Sequence, residues 1–292
     1  MSIIETKNLT KFYGKSRGII ELNLEVSEGE FFGFIGPNGA GKSTTIRTLL
    51  GLIYPTSGEG RIFGKDIIRD KTEILSDIGY MPSEATFYNG MKVKDIISLS
   101  AKMRKKNCIA EAKRLCERLS LDTEKRVEEL SLGNRKKVSI VCALQHKPKL
   151  CILDEPTSGL DPLMQKEFFD ILKERHEEGS TIFLSSHVLS EIQKNCSRAA
   201  IIKEGRLIAL DSVENLSKTS AKRVTLHGVT SVPESLLAKS VVKGGDSVTF
   251  LYSGDIKELI GEVNSLPIYD MTITEPDLEE IFMHYYEKGG DK

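Results

Sequence analysis

The amino-acid sequence predicts an α/β fold: a mixed-sheet core with a helical subdomain, followed by a small C-terminal α+β domain. Three observations support this prediction. A glycine-rich loop lies between a buried strand pattern and a helical pattern. Later apolar strand patterns are followed by acidic or histidine side chains that could take part in a reaction. Beyond Leu216 the pattern of helices and strands changes. The 292 residues are enough for a main domain and an appendage, each with its own core.

The composition is that of a soluble globular protein, with 39% hydrophobic and 28% charged residues and a formal net charge of −1. Nucleic-acid-binding proteins normally carry an excess of basic residues, so we expect no nucleic-acid partner. The five cysteines never stand in a C-x-x-C pattern, which favours reduced thiols in a cytoplasmic protein. The N-terminus lacks the pattern of a signal peptide, and no apolar run reaches the ~18 residues of a membrane span. We therefore expect contact with a membrane only through a partner.

The glycine-rich loop predicts a nucleoside triphosphate site. Its glycines let successive backbone N–H groups point at phosphate oxygens, and the helix that follows directs the positive end of its dipole at the same place. Lys42 supplies a mobile positive charge for the outer phosphates, and Ser43 supplies a hydroxyl for the Mg²⁺ that accompanies the nucleotide. The loop fits the pattern G-x-x-x-x-G-K-[ST] without a gap and consists of Gly36, Pro37, Asn38, Gly39, Ala40, Gly41, Lys42, Ser43 and Thr44.

Two strands with alternating polar and apolar residues are predicted before the loop, at residues 3–9 and 20–26. Tyr13 lies between them. Its ring could stack on a nucleotide base, since every base offers a flat π face. The alternative, from the residues alone, is an aromatic side chain of the core.

Helical patterns dominate from about residue 89 to residue 145. The last of these helices follows the stretch Leu130-Ser131-Leu132-Gly133. Ser131 is a suitable residue to cap that helix at its N-terminus. The same N-terminus could equally face an anion.

Two later apolar strands end in chemically reactive side chains. The strand 150–153 is followed by Asp154 and Glu155, and two carboxylates there are costly to bury unless a cation or a reaction uses them. Next to a phosphate loop, the expected uses are Mg²⁺ at Asp154 and polarisation of an attacking water by Glu155. The strand 181–186 is followed by His187, which is either structural or part of the ligand site at that sheet edge.

Taken in order, these features resemble the nucleotide-binding subunit of an ATP-binding-cassette (ABC) transporter, a P-loop NTPase cassette, over about residues 3–211. In that family two cassettes pack head to tail, so that each ATP lies between the phosphate loop of one protomer and the signature of the other. The signature here is the stretch from Leu130 to Asn134.

The resemblance implies a role for each matching residue. Tyr13 would stack on adenine, Lys42 would hold the outer phosphates, and Ser43 and Asp154 would serve Mg²⁺. Glu155 would be the general base, and His187 would contact the γ-phosphate. The remaining implied residues act across the dimer: Asp161 would bridge the two sites, and Ser131 and Gly133 would close on the nucleotide of the opposite subunit.

Two positions depart from the family pattern. The signature usually reads L-S-G-G-Q, and here Leu132 and Asn134 replace its first glycine and its glutamine. Ser83 stands at the lid position where the family has a glutamine that reaches Mg²⁺ and the attacking water. A serine at this metal-site position is too short for both contacts. We therefore expect slower or more loosely coupled hydrolysis than in a relative that carries the glutamine.

The domain division predicted from the sequence is a nucleotide-binding domain at 1–215, with its helical subdomain at about 89–145, and an accessory α+β domain at 216–292. In the accessory domain we expect strands at 223–226, 247–252 and 268–273, a helix capped by Asp255, and a closing helix after Pro276. The segment 275–282 resembles the extension of cassettes that serve two-component exporters of drugs, peptides, lipids or polysaccharides. A generic stabilising or dimerising extension is the alternative.

The resemblance thus implies an ATPase subunit that powers a separate transmembrane permease, as part of an exporter. It would work as a homodimer, or as a heterodimer with another ABC ATPase, in the cytoplasm and peripherally on the inner face of the cell membrane. Two alternatives stay open: a soluble cassette protein with no transport role, and a weakly hydrolysing regulatory subunit of a heteromeric transporter.

Overall fold

The computed structural model describes residues 1–217, 222–233, 236 and 238–274. The chain separates into two compact units, Met1–Asp211 and Ser212–Lys292. Each unit has an apolar cluster of its own. The strands of the first unit are β1 (Ser2–Tyr13), β2 (Ser16–Leu22), β3 (Glu25–Ser27), β4 (Phe31–Ile35), β5 (Ser57–Ile62), β6 (Lys65–Asp66), β7 (Ile78–Met81), β8 (Leu150–Asp154), β9 (Thr181–Ser186), β10 (Arg198–Lys203) and β11 (Arg206–Ser212).

The helices among the described residues include three that follow strands of the core directly: α1 (Lys42–Leu49) after β4, α6 (Pro162–Glu177) after β8 and α7 (Leu189–Asn195) after β9. The short α2 (Lys71–Ser76) precedes β7. Between β7 and β8 lie α3 (Val93–Met103), α4 (Ile109–Arg118), a single 3₁₀ turn at Val127–Glu129, and α5 (Leu132–Leu144). The helical patterns expected at 89–145 are therefore confirmed.

One sheet has the strand order β2-β1-β5-β6, and β3 also pairs with β1. The single strand predicted at 20–26 is wrong, because β2 and β3 are separate strands that pair with different parts of β1. Leu22 lies opposite Leu9, whereas Glu25 lies opposite Glu5. Asn23 makes the break: its amide Nδ2 donates to the Asn8 side chain at 3.0 Å, and its Oδ1 accepts from the Asn8 backbone N–H at 2.9 Å.

The other sheet of this unit places the catalytic candidates. Its order is β11-β10-β4-β9-β8-β7, and the pairings from β10 through β7 are parallel. Strands β4, β8 and β9 are buried along their whole length, which accounts for their nearly continuous apolar sequences. Since parallel strands present their carboxyl ends at one edge, the residues that follow these three strands meet there.

The second unit contains α8 (Val213–Ser217), α9 (Ile256–Val263) and an antiparallel sheet of order β13-β14-β12-β15. Its strands are β12 (Lys222–His227), β13 (Lys239–Gly244), β14 (Ser247–Tyr252) and β15 (Asp270–Thr274). The Asp255 carboxylate caps α9 by accepting from the Lys257 N–H at 2.7 Å, as expected. Strand β13 was not predicted, and β15 begins two residues later than the sequence pattern indicates. The closing helix expected after Pro276 lies outside the described residues.

Candidate nucleotide site

The candidate site forms where β4, β8 and β9 end. In the sheet register Ile35 lies opposite Ser186, and Asp154 lies opposite Ser185. The phosphate loop therefore follows β4 at the same edge where Glu155 follows β8 and His187 follows β9. The structure brings these three sequence-predicted features together.

The phosphate loop has a backbone that only glycine can follow at two points. A Cβ on Gly36 would lie 2.6 Å from the Ile202 carbonyl oxygen and 2.9 Å from the Ala40 Cβ. Gly41 has φ 112°, and its Cβ would lie 2.8 Å from the Gly18 carbonyl oxygen. The loop is thus held tightly against the strands behind it while Pro37, Asn38 and Gly39 remain exposed. Helix α1 begins at Lys42, directly after this turn.

Lys42 is 5% exposed and lies over the inside of the loop. Its Nζ donates to the Gly36 carbonyl at 2.6 Å and the Pro37 carbonyl at 3.2 Å, and it pairs with Glu155 Oε1 at 3.0 Å. The ammonium therefore connects the phosphate loop with the carboxylate after β8. A positive charge in this position can compensate negative charge bound by the loop.

Asp154 is 1% exposed. Its Oδ1 accepts a hydrogen bond from the Ser185 hydroxyl at 2.6 Å, and its Oδ2 is buried with no hydrogen-bond partner among the described residues. An ionised oxygen without a partner is costly to bury, and a hard cation would satisfy it. Ser43, at the second position of α1, supplies a hydroxyl of the kind that Mg²⁺ binds. These residues fit a magnesium ion.

Glu155 has backbone φ 47°, a left-handed conformation, and side-chain partners from two other elements. Its Oε1 pairs with Lys42, and its Oε2 lies 3.3 Å from His187 Nδ1. Burial acts to raise the pKa of Glu155, but the hydrogen bond and charge of Lys42, with a smaller contribution from His187, outweigh burial and hold the pKa below its ordinary value. The side chain is therefore a carboxylate at neutral pH, as a proton acceptor has to be.

The residues expected to act across a dimer lie at two helix N-termini. The Ser131 hydroxyl accepts from the Asn134 N–H at 3.3 Å and caps α5, so the capping interpretation is correct. The Asp161 carboxylate caps α6 by accepting from the N–H groups of Leu163 at 3.1 Å and Met164 at 3.0 Å. A Cβ on Gly133 would lie 2.9 Å from the Gly159 carbonyl oxygen, so the two helix starts pack closely together.

Two further candidates lie at the margins of this arrangement. Tyr13 ends β1 and is 46% exposed, so it is not a core aromatic, and the Lys11 ammonium lies 5.3 Å from its ring centroid. Ser83 follows β7 and is half-buried. The structure records its backbone carbonyl, rather than its hydroxyl, in a hydrogen bond, which comes from Lys136 Nζ at 2.6 Å.

Sequence reasoning missed two residues of the site. Ser185 is fully buried, donates to Asp154 and accepts from the Glu155 N–H at 3.2 Å. The polar pair Ser185-Ser186 at the end of an apolar strand, just before His187, is a signal that could have found it. Lys136 is 2% exposed beneath Glu155, and its place in the basic run 135–137 gives no such signal.

The fold and the site together define a phosphate-loop nucleotide hydrolase, and comparisons with known proteins specify which one. A family model described as ABC transporter matches residues 19–158. The bacitracin transport ATP-binding protein BcrA of Bacillus licheniformis is 36% identical over 97% of this chain and 96% of its own length. The BcrA protein of Enterococcus faecalis is 32% identical over 99% of this chain and 97% of its own.

A solved structure titled "Structure of ATP binding subunit of ABC transporter" superposes with a TM-score of 0.69 at 30% identity, covering 73% of this chain and 91% of that one. The chain therefore belongs to the ATP-binding proteins of ABC transporters and is an ATP-hydrolysing subunit of such a transporter. This confirms the resemblance and the P-loop NTPase fold. Among the described residues, no helix combines the length and the apolar character that crossing a membrane requires.

Proposed function

We propose that ATP binds on the phosphate loop of residues 36–44 and is hydrolysed beside it, with Glu155 as general base. The cluster of Lys42, Glu155 and His187 is the observation that carries this proposal, because it joins an anion site to an ionised proton acceptor. Ser43 and Asp154 would hold Mg²⁺, which neutralises phosphate charge when bound. Tyr13, exposed at the end of β1, would stack on the adenine.

The reaction needs few groups from this chain. Water attacks the γ-phosphorus, the bond from that phosphorus to the β–γ bridging oxygen breaks, and the proton of the water passes to the Glu155 carboxylate. Lys42 is placed to balance the charge on the outer phosphates. His187 is 47% exposed at the side chain and would contact the γ-phosphate from the open side.

The working unit would be a head-to-tail dimer of cassettes, with Ser131 and Gly133 of one closing on the ATP of the other and Asp161 bridging the sites. All three residues lie at or beside exposed helix N-termini, where N–H groups attract anions. Two identical chains form the dimer in this proposal. The departures at Ser83 and Leu132 favour, as the second candidate, a heterodimer in which another ABC ATPase supplies the usual residues.

A separate permease would dock on the helical subdomain. Apolar side chains are exposed there beside a groove of about 550 Å³: Tyr88 is 78% exposed and Met103 76%. An exposed apolar groove of this kind fits a short amphipathic helix from a membrane subunit. The chain would then lie peripherally on the inner face of the membrane. Because its near full-length relatives are bacitracin transport proteins, we propose that this transporter is an exporter.

Replacing Glu155 tests the ATPase. Glu155→Gln keeps the shape of the side chain but removes the proton acceptor, so hydrolysis should fall by a factor on the order of 10²–10⁴ while ATP still binds. Light scattering should show wild-type chains dimerising transiently with ATP and Glu155→Gln remaining dimeric. The control is Glu177→Gln, an exposed carboxylate near the end of α6, which should behave as wild type. Undiminished hydrolysis by Glu155→Gln would refute the general-base role.

The same experiment separates the two dimer candidates. Hydrolysis and ATP-dependent dimerisation by the wild-type chain alone support the homodimer. If the wild-type chain binds ATP but neither hydrolyses it nor dimerises, the heteromeric or regulatory subunit is the better account.

A further inference from the structure

Lys136 is a buried ammonium that joins three elements. It lies on the second turn of α5 and is 2% exposed. Its Nζ donates to the Ser83 carbonyl at 2.6 Å and to the Glu155 carbonyl at 3.1 Å. One of these carbonyls follows β7 and the other follows β8. The helix that begins at the signature is thus tied to the backbone of the proposed general base.

Glu155 depends on such contacts because its backbone is strained. Its φ of 47° is a conformation that a residue with a side chain seldom adopts, and surrounding bonds have to hold it. The N–H of Glu155 donates to the Ser185 backbone oxygen at 3.1 Å and to the Ser185 hydroxyl at 3.2 Å. Its carbonyl accepts from Lys136 and, at 3.4 Å, from the Ser158 N–H. Lys136 is therefore the only charged partner that the described residues offer to this backbone.

A packing role alone does not explain a lysine here. An apolar side chain of the same length would fill the space without the desolvation cost of a buried ammonium. Burial lowers the pKa of Lys136, while the carboxylates of Asp154, Glu155 and Glu84 act in the opposite direction. The Lys136 ammonium thus lies beside Asp154 and Glu155 despite the desolvation free energy that its burial costs.

We infer that Lys136 is a positioning residue for hydrolysis: it fixes the Glu155 and Ser83 backbones to the signature helix, so that the carboxylate is aimed correctly when that helix engages a partner. This inference rests on the proposed role of Glu155 as general base. Lys136 touches neither nucleotide nor water in this account. It acts through the two carbonyls that it holds.

The test replaces Lys136 by Met, which keeps an unbranched side chain only one atom shorter and removes the charge and all donors. Turnover should fall by about 10²-fold because the base is misplaced, while the Kd for ATP stays within about threefold of wild type. In the protein without nucleotide, amide hydrogen exchange of Glu155, Thr157 and Ser158 should become faster. Lys136→Arg, which keeps the charge and donors, should have a turnover between those of wild type and Lys136→Met.

The control is Lys137→Met on the same helix. The Lys137 side chain is half-buried and makes no hydrogen bond or ion pair within the described part of the chain, so this variant should match wild type in turnover and exchange. Lys136→Gln, measured alongside, keeps one donor group and provides the same comparison if Lys136→Met fails to fold. Near-wild-type turnover in a folded Lys136 variant, or an equal loss in Lys137→Met, would overturn the inference.

Measuring Glu155→Gln in the same assay distinguishes a failure of the Lys136 inference from a failure of the general-base proposal. If Glu155→Gln is inactive and folded Lys136→Met is active, only the role of Lys136 is wrong. If Glu155→Gln turns over like wild type, the general-base proposal fails first. A loss of ATP binding in Lys136→Met that equals its loss of turnover would mean a structural role and would also overturn the inference.

Discussion

Glu155 lies at the centre of the proposed hydrolytic site. Its carboxylate contacts Lys42 and His187, its N–H contacts Ser185, and its carbonyl contacts Lys136. Three separate segments of the chain therefore converge on one residue: the start of α1, the end of β9 and helix α5. Because the pKa of Glu155 lies below its ordinary value, this proposed proton acceptor stays ionised as the pH falls, until that lowered pKa is reached.

Ser83 is predicted to limit the rate of ATP hydrolysis and to raise the Mg²⁺ concentration that hydrolysis needs. If this position faces the metal and the attacking water, as the family pattern implies, a glutamine could contact both, whereas the serine side chain is too short. Ser83→Gln should therefore raise the rate of ATP hydrolysis by at least about tenfold and lower the Mg²⁺ concentration needed for half-maximal rate. Steady-state hydrolysis over a Mg²⁺ titration measures both.

The matched control is Ser83→Met, which has nearly the size of Gln but no amide. It should not accelerate hydrolysis. Since Lys136 binds the backbone carbonyl of Ser83, neither substitution removes that hydrogen bond directly. Unchanged turnover and unchanged Mg²⁺ dependence in Ser83→Gln would refute the idea that the serine slows this enzyme.

The sequence predicted the arrangement of the candidate site well where local motifs define it and poorly where tertiary contacts do. The phosphate loop, Asp154 and Glu155 follow from strand, turn and helix signals that lie next to them in the chain. Lys136 could not be predicted, because a lysine within the run 135–137 usually indicates a solvated surface, and only the packing of α5 over Ser83 and Glu155 buries it.

The missed strand features have a similar cause. The break between β2 and β3 depends on Asn23 bonding to Asn8, fifteen residues away, which no local pattern reveals. Strand β13 lies at the edge of its sheet, and Val242 is 64% exposed, so the buried face that marks most strands is weak there.

At the level of whole elements, an ion-pair cluster fastens α4 of the helical subdomain to α6. Arg118 pairs with Glu167, Arg114 pairs with Glu174, and the fully buried Arg175 pairs with Glu111. Surface ion pairs contribute little to stability, but removing one partner of a buried pair leaves an uncompensated charge. The contact of Arg175 with Glu111 should therefore matter most.

Glu111→Gln should lower the free energy of unfolding by about 2 kcal/mol, because Arg175 loses a charged acceptor while keeping Glu178. Urea unfolding at neutral pH measures the loss. The control is Glu117→Gln on the same helix, whose carboxylate is exposed and lies 3.9 Å from Lys113. That variant should change stability by less than about 1 kcal/mol.

The difference in the free energy of unfolding between wild type and Glu111→Gln should depend on pH, as the pKa of Glu111 dictates. Burial acts to raise it, but the hydrogen bond from Arg114 and the charges of Arg175 and Arg114 outweigh burial, so the pKa lies below the ordinary value of 4.5. The stabilisation that the Glu111 carboxylate provides is therefore complete above about pH 4.5. It disappears as the pH falls through the lowered pKa of the folded state. A difference in the free energy of unfolding between wild type and Glu111→Gln that increased on acidification would contradict this account.

For the molecule as a whole, the division into two units predicts that the cassette can fold without the second unit. The first unit, Met1–Asp211, contains its own apolar cluster, to which Leu207 and Leu210 of β11 belong at the margin. The second unit has an independent cluster around Val224, Phe250 and Leu259. A domain with a complete core and paired backbone groups is expected to fold alone.

A chain that stops after Asp211 should therefore unfold cooperatively and bind ATP with a Kd within about threefold of the full-length protein.

The control stops after Lys203 and so removes β11 together with Gly205. Gly205 donates its N–H to the Ala40 carbonyl of the phosphate loop at 2.8 Å and accepts from the Ile20 N–H at 2.7 Å. This shorter chain should lose ATP affinity and stability together, because the loop loses a backbone anchor and the sheet an edge strand. Thermal unfolding followed by circular dichroism and titration with a fluorescent ATP analogue measure the two properties. If the chain ending at Asp211 were unfolded or unable to bind ATP, the second unit would be part of the nucleotide-binding fold rather than an accessory to it.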